Sequence, residues 1–477
     1  MHLHHGAPPP RAHRARVGIS PAALARYYGV DAVRQRVLDY AGGQSSCSLT
    51  ARSLAAYGGY SHLHQPDDWG PIALAPLLLD SAFEDGDDIC RSLADSGGTL
   101  LLLDVDYANP QDPSEPYSDP RSVFLHLDEV RTAILDAFRD HHVRPLVLMT
   151  ARGWHFVARV PRGTPLHDGL VALGALSPSL VARVLQVESV EAEEALLDAR
   201  AHVGAGKLLE HLAHRLLRTL RGGIGVPIDL ADVPPSGRGG FICLDLSAYA
   251  DPLFLRYSRC AFSSNQKARV SRLAPDRPFV IVLPHGLVDT AGLLSIREDL
   301  AAAAAFAEDA DVRIPDVPDE AVSWLADYRR GPLVGLHREM DDAWTEPAIE
   351  PLVESLPACA AMPLRWPDPS LLEPAYIRTV TCALGARGWR PGGVAALIRS
   401  RYGREPRLRR LFERYDAGSR AAFYVRLFWG TSAAGLETRE GFSCASQKGR
   451  GTCVGEACGH DMALLFDRFR KREGGFS

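Results

Sequence analysis

The chain has 477 residues, of which 46% are hydrophobic and 23% charged, with 53 Lys and Arg set against 58 Asp and Glu for a formal net charge of -5. That length exceeds one ordinary core and predicts several globular units, while the balance excludes an intrinsically disordered protein and a uniformly basic nucleic-acid coat. The start of the chain lacks the apolar segment of a secretory signal and no apolar run approaches the roughly 18 residues of a membrane span, so the expected protein is soluble and cytoplasmic, with no membrane partner.

Residues 1–45 read as a Pro-, His- and Arg-rich mobile tail followed by one or two amphipathic helices in "SPAALARYYGVDAVRQRVLDYAGG", started by Ser-Pro and closed by Gly42 and Gly43. Over residues 46–290, apolar strand-like runs alternate with helical patterns. The strands are "TLLLLDVDY", "PLVLMT", "WHFVARV", "GGFICLDL" and "FVIVLP"; the helices are "FLHLDEVRTAILDAFRDHH" and "AGKLLEHLAHRLLRTL", which together predict a mixed α and β domain. "GLLSIREDLAAAAAFAEDAD" reads as one alanine-rich helix and opens a helical, proline-containing linker over 291–350. Residues 351–477 read as a mainly helical domain with "AYIRTVTCALGARGW", "GGVAALIRSRYG", a cysteine cluster and a closing helix "MALLFDRFRKR".

The chemistry starts in "LLLLDVDY". Strand side chains alternate, so Asp104 and Asp106 face one side together, and paired carboxylates at that spacing suit Mg²⁺ or Mn²⁺. Asp245 ends a second apolar run, and a neighbouring strand would bring it to the same place, giving the acids of a two-metal site. Between them, "TARGWHF" offers Arg152 and His155 at the rim of a Gly153 turn as donors to phosphate oxygens. After Asp245, "LRYSRCAFSSNQKAR" carries Arg256, Arg259, Lys267 and Arg269, a cradle for triphosphate or nucleic-acid backbone. Each feature also has a structural reading: a solvated strand end, a turn cap at Asp245, a packed histidine, a solvated basic loop. "HVGAGKLLEH" around Lys207 imitates a phosphate loop but lacks its first Gly and the hydroxyl after Lys, so no built-in ATP-driven helicase is expected.

In this order the motifs resemble the catalytic subunit of archaeo-eukaryotic primases: a strand ending in DxD, a turn followed by His, a strand ending in Asp, then a basic Ser-containing stretch. The resemblance covers residues 95–270. It implies an α+β fold with a mixed or antiparallel sheet, half of it similar to an RNA-recognition motif. It further implies Asp104, Asp106 and Asp245 as ligands of two Mg²⁺ or Mn²⁺ ions, with His155, Arg152, Arg256, Arg259, Ser263 and Lys267 on the nucleotide. The implied activity is template-directed nucleotidyl transfer, with single-stranded DNA and nucleoside triphosphates as partners and any replicative helicase on a separate chain. The sequence departs from the family at Thr150 and Ala151, where Ser-Gly is common, at Asn265, where His is frequent, and at Ala261 and Phe262, which replace Pro-Gly. A metal-dependent nuclease or phosphodiesterase, and a non-catalytic replication factor, are the competing readings.

Cys444, Cys453 and Cys458 lie within fifteen residues of a Gly-, Ser- and Lys-rich segment that is a poor core element and a good soft-metal site. Cys359 is the expected fourth ligand, with Cys382 and His460 as alternatives. All-cysteine ligation allows Zn²⁺ or an iron-sulfur cluster, and the helical context is similar to the primase large-subunit domain, which implies a [4Fe-4S] centre. "RSRYGREPRLRRLFERY", residues 399–415, sets seven arginines against two glutamates and is a candidate nucleic-acid-binding helix or an ordinary solvated one.

Overall fold

A computed structural model describes residues 20–45, 48–57, 72–187, 192–234, 239–252, 257–342, 353–366, 372–403, 416–453 and 458–473. The fold is α+β. Among the described residues the strands are β1 (Leu54–Tyr57), β2 (Ile72–Leu74), β3 (Asp88–Ser92), β4 (Ala94–Asp95), β5 (Gly98–Ala108), β6 (Leu146–Met149), β7 (Gly153–Pro161), β8 (Ile228–Asp229), β9 (Phe241–Asp245) and β10 (Tyr257–Arg259). The larger sheet has the order β6-β7-β5-β9-β8 with β4 paired to β5, and the smaller has the order β10-β3-β1-β2. All pairings are antiparallel except β8 with β9.

β5 is central because both of its faces are covered, as its apolar run from Leu100 to Leu103 requires. On one face Leu103 and Val105 align with Phe156 and Trp154 of β7. Those two rings meet Phe138 and Phe124 of the helix Pro120–Arg139 at 6.4 and 5.5 Å. That helix starts where Asp119 accepts a hydrogen bond from the Ser122 amide, and its buried residues Phe124, Leu127, Val130, Ile134 and Phe138 recur at helical spacing. Each such buried side chain stabilises the fold by about 1.5–3 kcal/mol. The opposite face, carrying Asp104 and Asp106, looks toward the smaller sheet.

The helix Ala192–Leu220 runs behind the larger sheet. Its glycines serve close packing: a Cβ on Gly204 would lie 2.0 Å from the Leu170 carbonyl oxygen, and one on Gly206 would lie 2.6 Å from Tyr249 Cβ. Lys207 is buried and donates to the Asp341 carboxylate at 2.6 Å and to the Leu173 carbonyl at 2.9 Å. The imitation phosphate loop is therefore mid-helix core.

Two expected elements take a different form. "FVIVLP" makes isolated bridges, Val282 to Met149 and Val280 to Ser264, because its backbone bonds serve two partners in turn. The alanine-rich segment is two helices, Thr290–Arg297 and Leu300–Ala307, since Asp299 accepts from the Ala301 and Ala302 amides and starts the second.

The stretch expected to be a linker packs tightly. Trp324, in the helix Ser323–Arg330, is fully buried edge-on against Phe138, and Asp341 closes the helix Leu333–Asp341 on Lys207. One apolar cluster runs from Tyr27 to Phe469. At the N-terminal end, in the helix Pro21–Tyr28, the Tyr27 hydroxyl donates to the Phe262 carbonyl at 2.9 Å and the Tyr28 hydroxyl meets Ser264 at 3.1 Å. At the C-terminal end, Arg378 of the helix Pro374–Gly385 is buried between Asp229 of β8 and Glu437. Among the described residues no single helix is long and apolar enough to cross a membrane.

Candidate active site

The register of β5 brings the three acids together. Asp104 lies opposite Asp245 of β9 on one side and opposite His155 of β7 on the other, so the three share one row on one face. Directly opposed antiparallel residues have Cβ atoms about 4.5–5.5 Å apart. Asp106 is two residues further along the same face, opposite Gly153 and Cys243. Gly153 is required there: a Cβ would lie 1.7 Å from the Val105 carbonyl oxygen.

The side chains of Asp104 and Asp106 are 12% and 16% exposed. His155 Nε2 is 3.3 Å from Asp104 Oδ1, and its Nδ1 is 3.4 Å from Ser258 Oγ on β10, so the ring spans the gap between the two sheets. Arg152 Nη2 is 2.6 Å from Asp106 Oδ2. Burial pushes the Asp106 carboxyl up and Asp104 adds to this, against the opposing charges of Arg152, His155 and Lys267; the balance lies above the ordinary carboxylate value. Arg152 is held above its ordinary value, by Asp106 first and with Asp232 and Asp104 contributing. Asp245 Oδ1 also accepts the Ser247 amide at 2.8 Å, so it caps the following turn while facing the row.

The cationic side is built from the smaller sheet and the loop after β10. Arg259 donates from Nε to Asp88 at 3.1 Å and lies over the Tyr57 ring. Lys267 opens the short helix Lys267–Val270 and exerts its charge on Asp106. Ala151 and Ala268, which neighbour Arg152 and Lys267 in sequence, pack in one small apolar cluster with Tyr117, Ala274 and Phe279, so the two segments meet on one pad.

Ser263 is not part of this surface. It is fully buried, its hydroxyl accepting the Ile89 amide at 2.7 Å and contacting Tyr28, so it supports the loop from beneath. Arg256 lies outside the described residues, as do residues 404–415 of the arginine-rich stretch.

Two residues that the sequence reading passed over organise the site. Asp88 is buried at the start of β3 and accepts from Arg259, the Ser264 hydroxyl and the Gln266 amide, so one carboxylate shapes the whole basic loop. Arg297, fully buried between the Phe124 and Phe279 rings, donates to the Thr150 and Ala151 carbonyls at 2.8 and 3.1 Å and fixes the turn that carries Arg152. "DGDDIC" and "SIRED" carry no local sign of either role. Phe262 has φ 59°, a left-handed conformation that favours Gly and that bulky residues rarely adopt. Its amide donates to the Ile281 carbonyl at 2.7 Å, and the Tyr27 bond holds its own carbonyl.

The cysteines form a second cluster. Burial pushes the Cys359 thiol up to about 12, with the sulfurs of Cys453, Cys458 and Cys444 adding to it, so each of those three lies within electrostatic reach of Cys359. The Cys444 and Cys458 thiols are 3.9 and 4.0 Å from the His460 carbonyl oxygen, which turns the His460 backbone toward them. Cys382 is buried deeper, against Glu437 and Arg378. Among the described residues no group of three or more His, Cys, Asp or Glu side chains stands at ready-made metal-ligand geometry. The donor types nevertheless suit metal ions: Asp104, Asp106 and Asp245 lie on one face of adjacent strands as hard oxygen donors, and the cysteines are soft ones. No protein-family model and no curated protein sequence matches the chain.

Proposed function

We propose that the protein is a primase-polymerase, a template-directed nucleotidyltransferase similar to the archaeo-eukaryotic primases and working on single-stranded DNA with nucleoside triphosphates. The observation that carries this reading is the cross-strand row Asp104, Asp245 and His155, with Asp106 beside it, Arg152 paired to Asp106, Lys267 acting on it and Arg259 on the neighbouring sheet. Acids that hold divalent cations and cations that hold polyphosphate belong to one reaction, attack of a 3′-hydroxyl on an α-phosphate with pyrophosphate leaving.

Asp104, Asp106 and Asp245 would hold two Mg²⁺ or Mn²⁺ ions, which when bound lower the pKa of the attacking hydroxyl and neutralise the leaving group. The chain's own residues do the positioning. Arg259, fixed by Asp88, and Lys267 bind the phosphates; His155, braced by Ser258, orients a phosphate oxygen through Nε2. Burial of Asp104 and Asp106 keeps competing water from the acids. Cys359, Cys444, Cys453 and Cys458 would hold Zn²⁺ or a [4Fe-4S] cluster that secures the C-terminal helices.

Primer extension on a single-stranded template with Mg²⁺ or Mn²⁺ tests the proposal. Replacing Asp104, Asp106 or Asp245 by Ala should each lower extension by about a hundredfold or more, since each removes charge stabilisation worth several kcal/mol, while template binding persists. Unchanged extension in all three variants, or strand cleavage without nucleotides, would overturn it.

A further inference from the structure

We propose that Arg152 is a charge latch on the cation site: it holds Asp106 until the phosphates of an incoming nucleotide draw it off, so that nucleotide and divalent cation bind cooperatively. The inference rests on the nucleotidyltransferase reading and adds an order to it.

The guanidinium and carboxylate are 2.6 Å apart, a charge-assisted hydrogen bond, and both side chains are largely withdrawn from water at 27% and 16% exposure. A carboxylate oxygen engaged at that distance is not available to a divalent cation, and a cation placed beside it would stand against a full positive charge where water screens poorly. The ion pair and the cation therefore compete for Asp106.

The backbone under Arg152 is pinned. Its carbonyl accepts the Tyr107 amide at 2.9 Å, and Arg297 grips the two preceding carbonyls. The freedom left is that of the side chain, whose long stem can swing the guanidinium away from Asp106. Asp232, exposed at the rim and acting on Arg152, is an acid on which the released guanidinium can rest, and phosphate oxygens on Arg259 and Lys267 would be stronger acceptors still. Transfer of Arg152 to phosphate frees Asp106 at the moment its ligand is needed. By linkage, the factor by which nucleotide tightens the cation equals the factor by which the cation tightens nucleotide.

The test is Mn²⁺ binding to the full chain, with no nucleotide, followed by electron paramagnetic resonance. Arg152→Gln should bind Mn²⁺ about tenfold more tightly than wild type, within the usual range of coupling between sites. Arg152→Lys, which restores a cation at the same place, should stay close to wild type. If the Gln variant fails to fold, Arg152→Met supplies the same comparison with the aliphatic stem kept. Equal or weaker Mn²⁺ binding on removal of the charge overturns the latch. Failure of the underlying reading looks different: Asp104→Asn and Asp245→Asn would then leave Mn²⁺ binding intact in both the wild-type and Arg152→Gln backgrounds.

Discussion

Asp87 sits one residue before the acid that shapes the basic loop, is almost fully buried, and has an oxygen with no hydrogen-bond partner among the described residues. Burial, with Asp85 and Asp88 adding to it, pushes its carboxyl up to about 7. The sign of the consequence follows from proton counting. Between about pH 4 and 7 the folded chain keeps a proton that the unfolded chain has released, so raising the pH through that window costs the fold about 1.4 kcal/mol per pH unit. Asn carries no such charge. Asp87→Asn should therefore leave Tm nearly unchanged at pH 4 and raise it most at pH 8, a difference that thermal melts across the range would show. At this scale the sequence was most informative where chemistry repeats at a fixed step. Asp104 and Asp106 had to share a face because strand side chains alternate, and the apolar run ending in Asp245 pointed to the third acid. Ser263 misled because a hydroxyl in a basic stretch has the same sequence signature whether it faces a ligand or supports the loop.

Among the elements, the segment 279–283 does the most for the site and was the least legible. Its unbroken apolar run resembles a strand, yet successive amides and carbonyls serve Met149, Ser263, Asn265 and Arg297, tying the hairpin that carries Arg152 to the loop that carries Lys267. No local pattern encodes a rail between two partners, whereas the helix Pro120–Arg139 was readable from its cap and its periodicity. The strands of the smaller sheet are three to five residues long, too short for alternation to stand out. Arg297 locks the rail to the hairpin, and burial lowers its own pKa to about 10. Arg297→Leu would leave two carbonyls without their charged donor, at roughly 1.5–3 kcal/mol. Urea unfolding should show that loss; unchanged stability would show the contact to be incidental.

For the molecule as a whole, the larger apolar cluster extends from Tyr27 to Phe469, and residues read as linker take part in it, Trp324 packing on Phe138 of the helix Pro120–Arg139. Patterning marks where chain segments are apolar; it does not say which segments cover which. The join to the C-terminal helices includes a buried charge group, Asp229, Arg378 and Glu437, in which burial, with Glu437 adding to it, carries the Asp229 carboxyl up to about 7 despite the opposing Arg378. Removing the cation strands two acids in the interior, so Arg378→Leu should cost about 3–5 kcal/mol by chemical denaturation. That loss should shrink as the pH is lowered from 8 to 6, since a protonated carboxyl no longer needs the guanidinium. The clasp of the first helix on the loop after β10 has a further consequence for biosynthesis. Tyr27 and its acceptor on Phe262 are 235 positions apart, so once made the helix Pro21–Tyr28 must wait for 235 further residues before it finds this partner. The row of Asp104, His155 and Asp245 likewise needs every residue from 104 to 245, and a product terminated before the last of them would leave the ribosome without it.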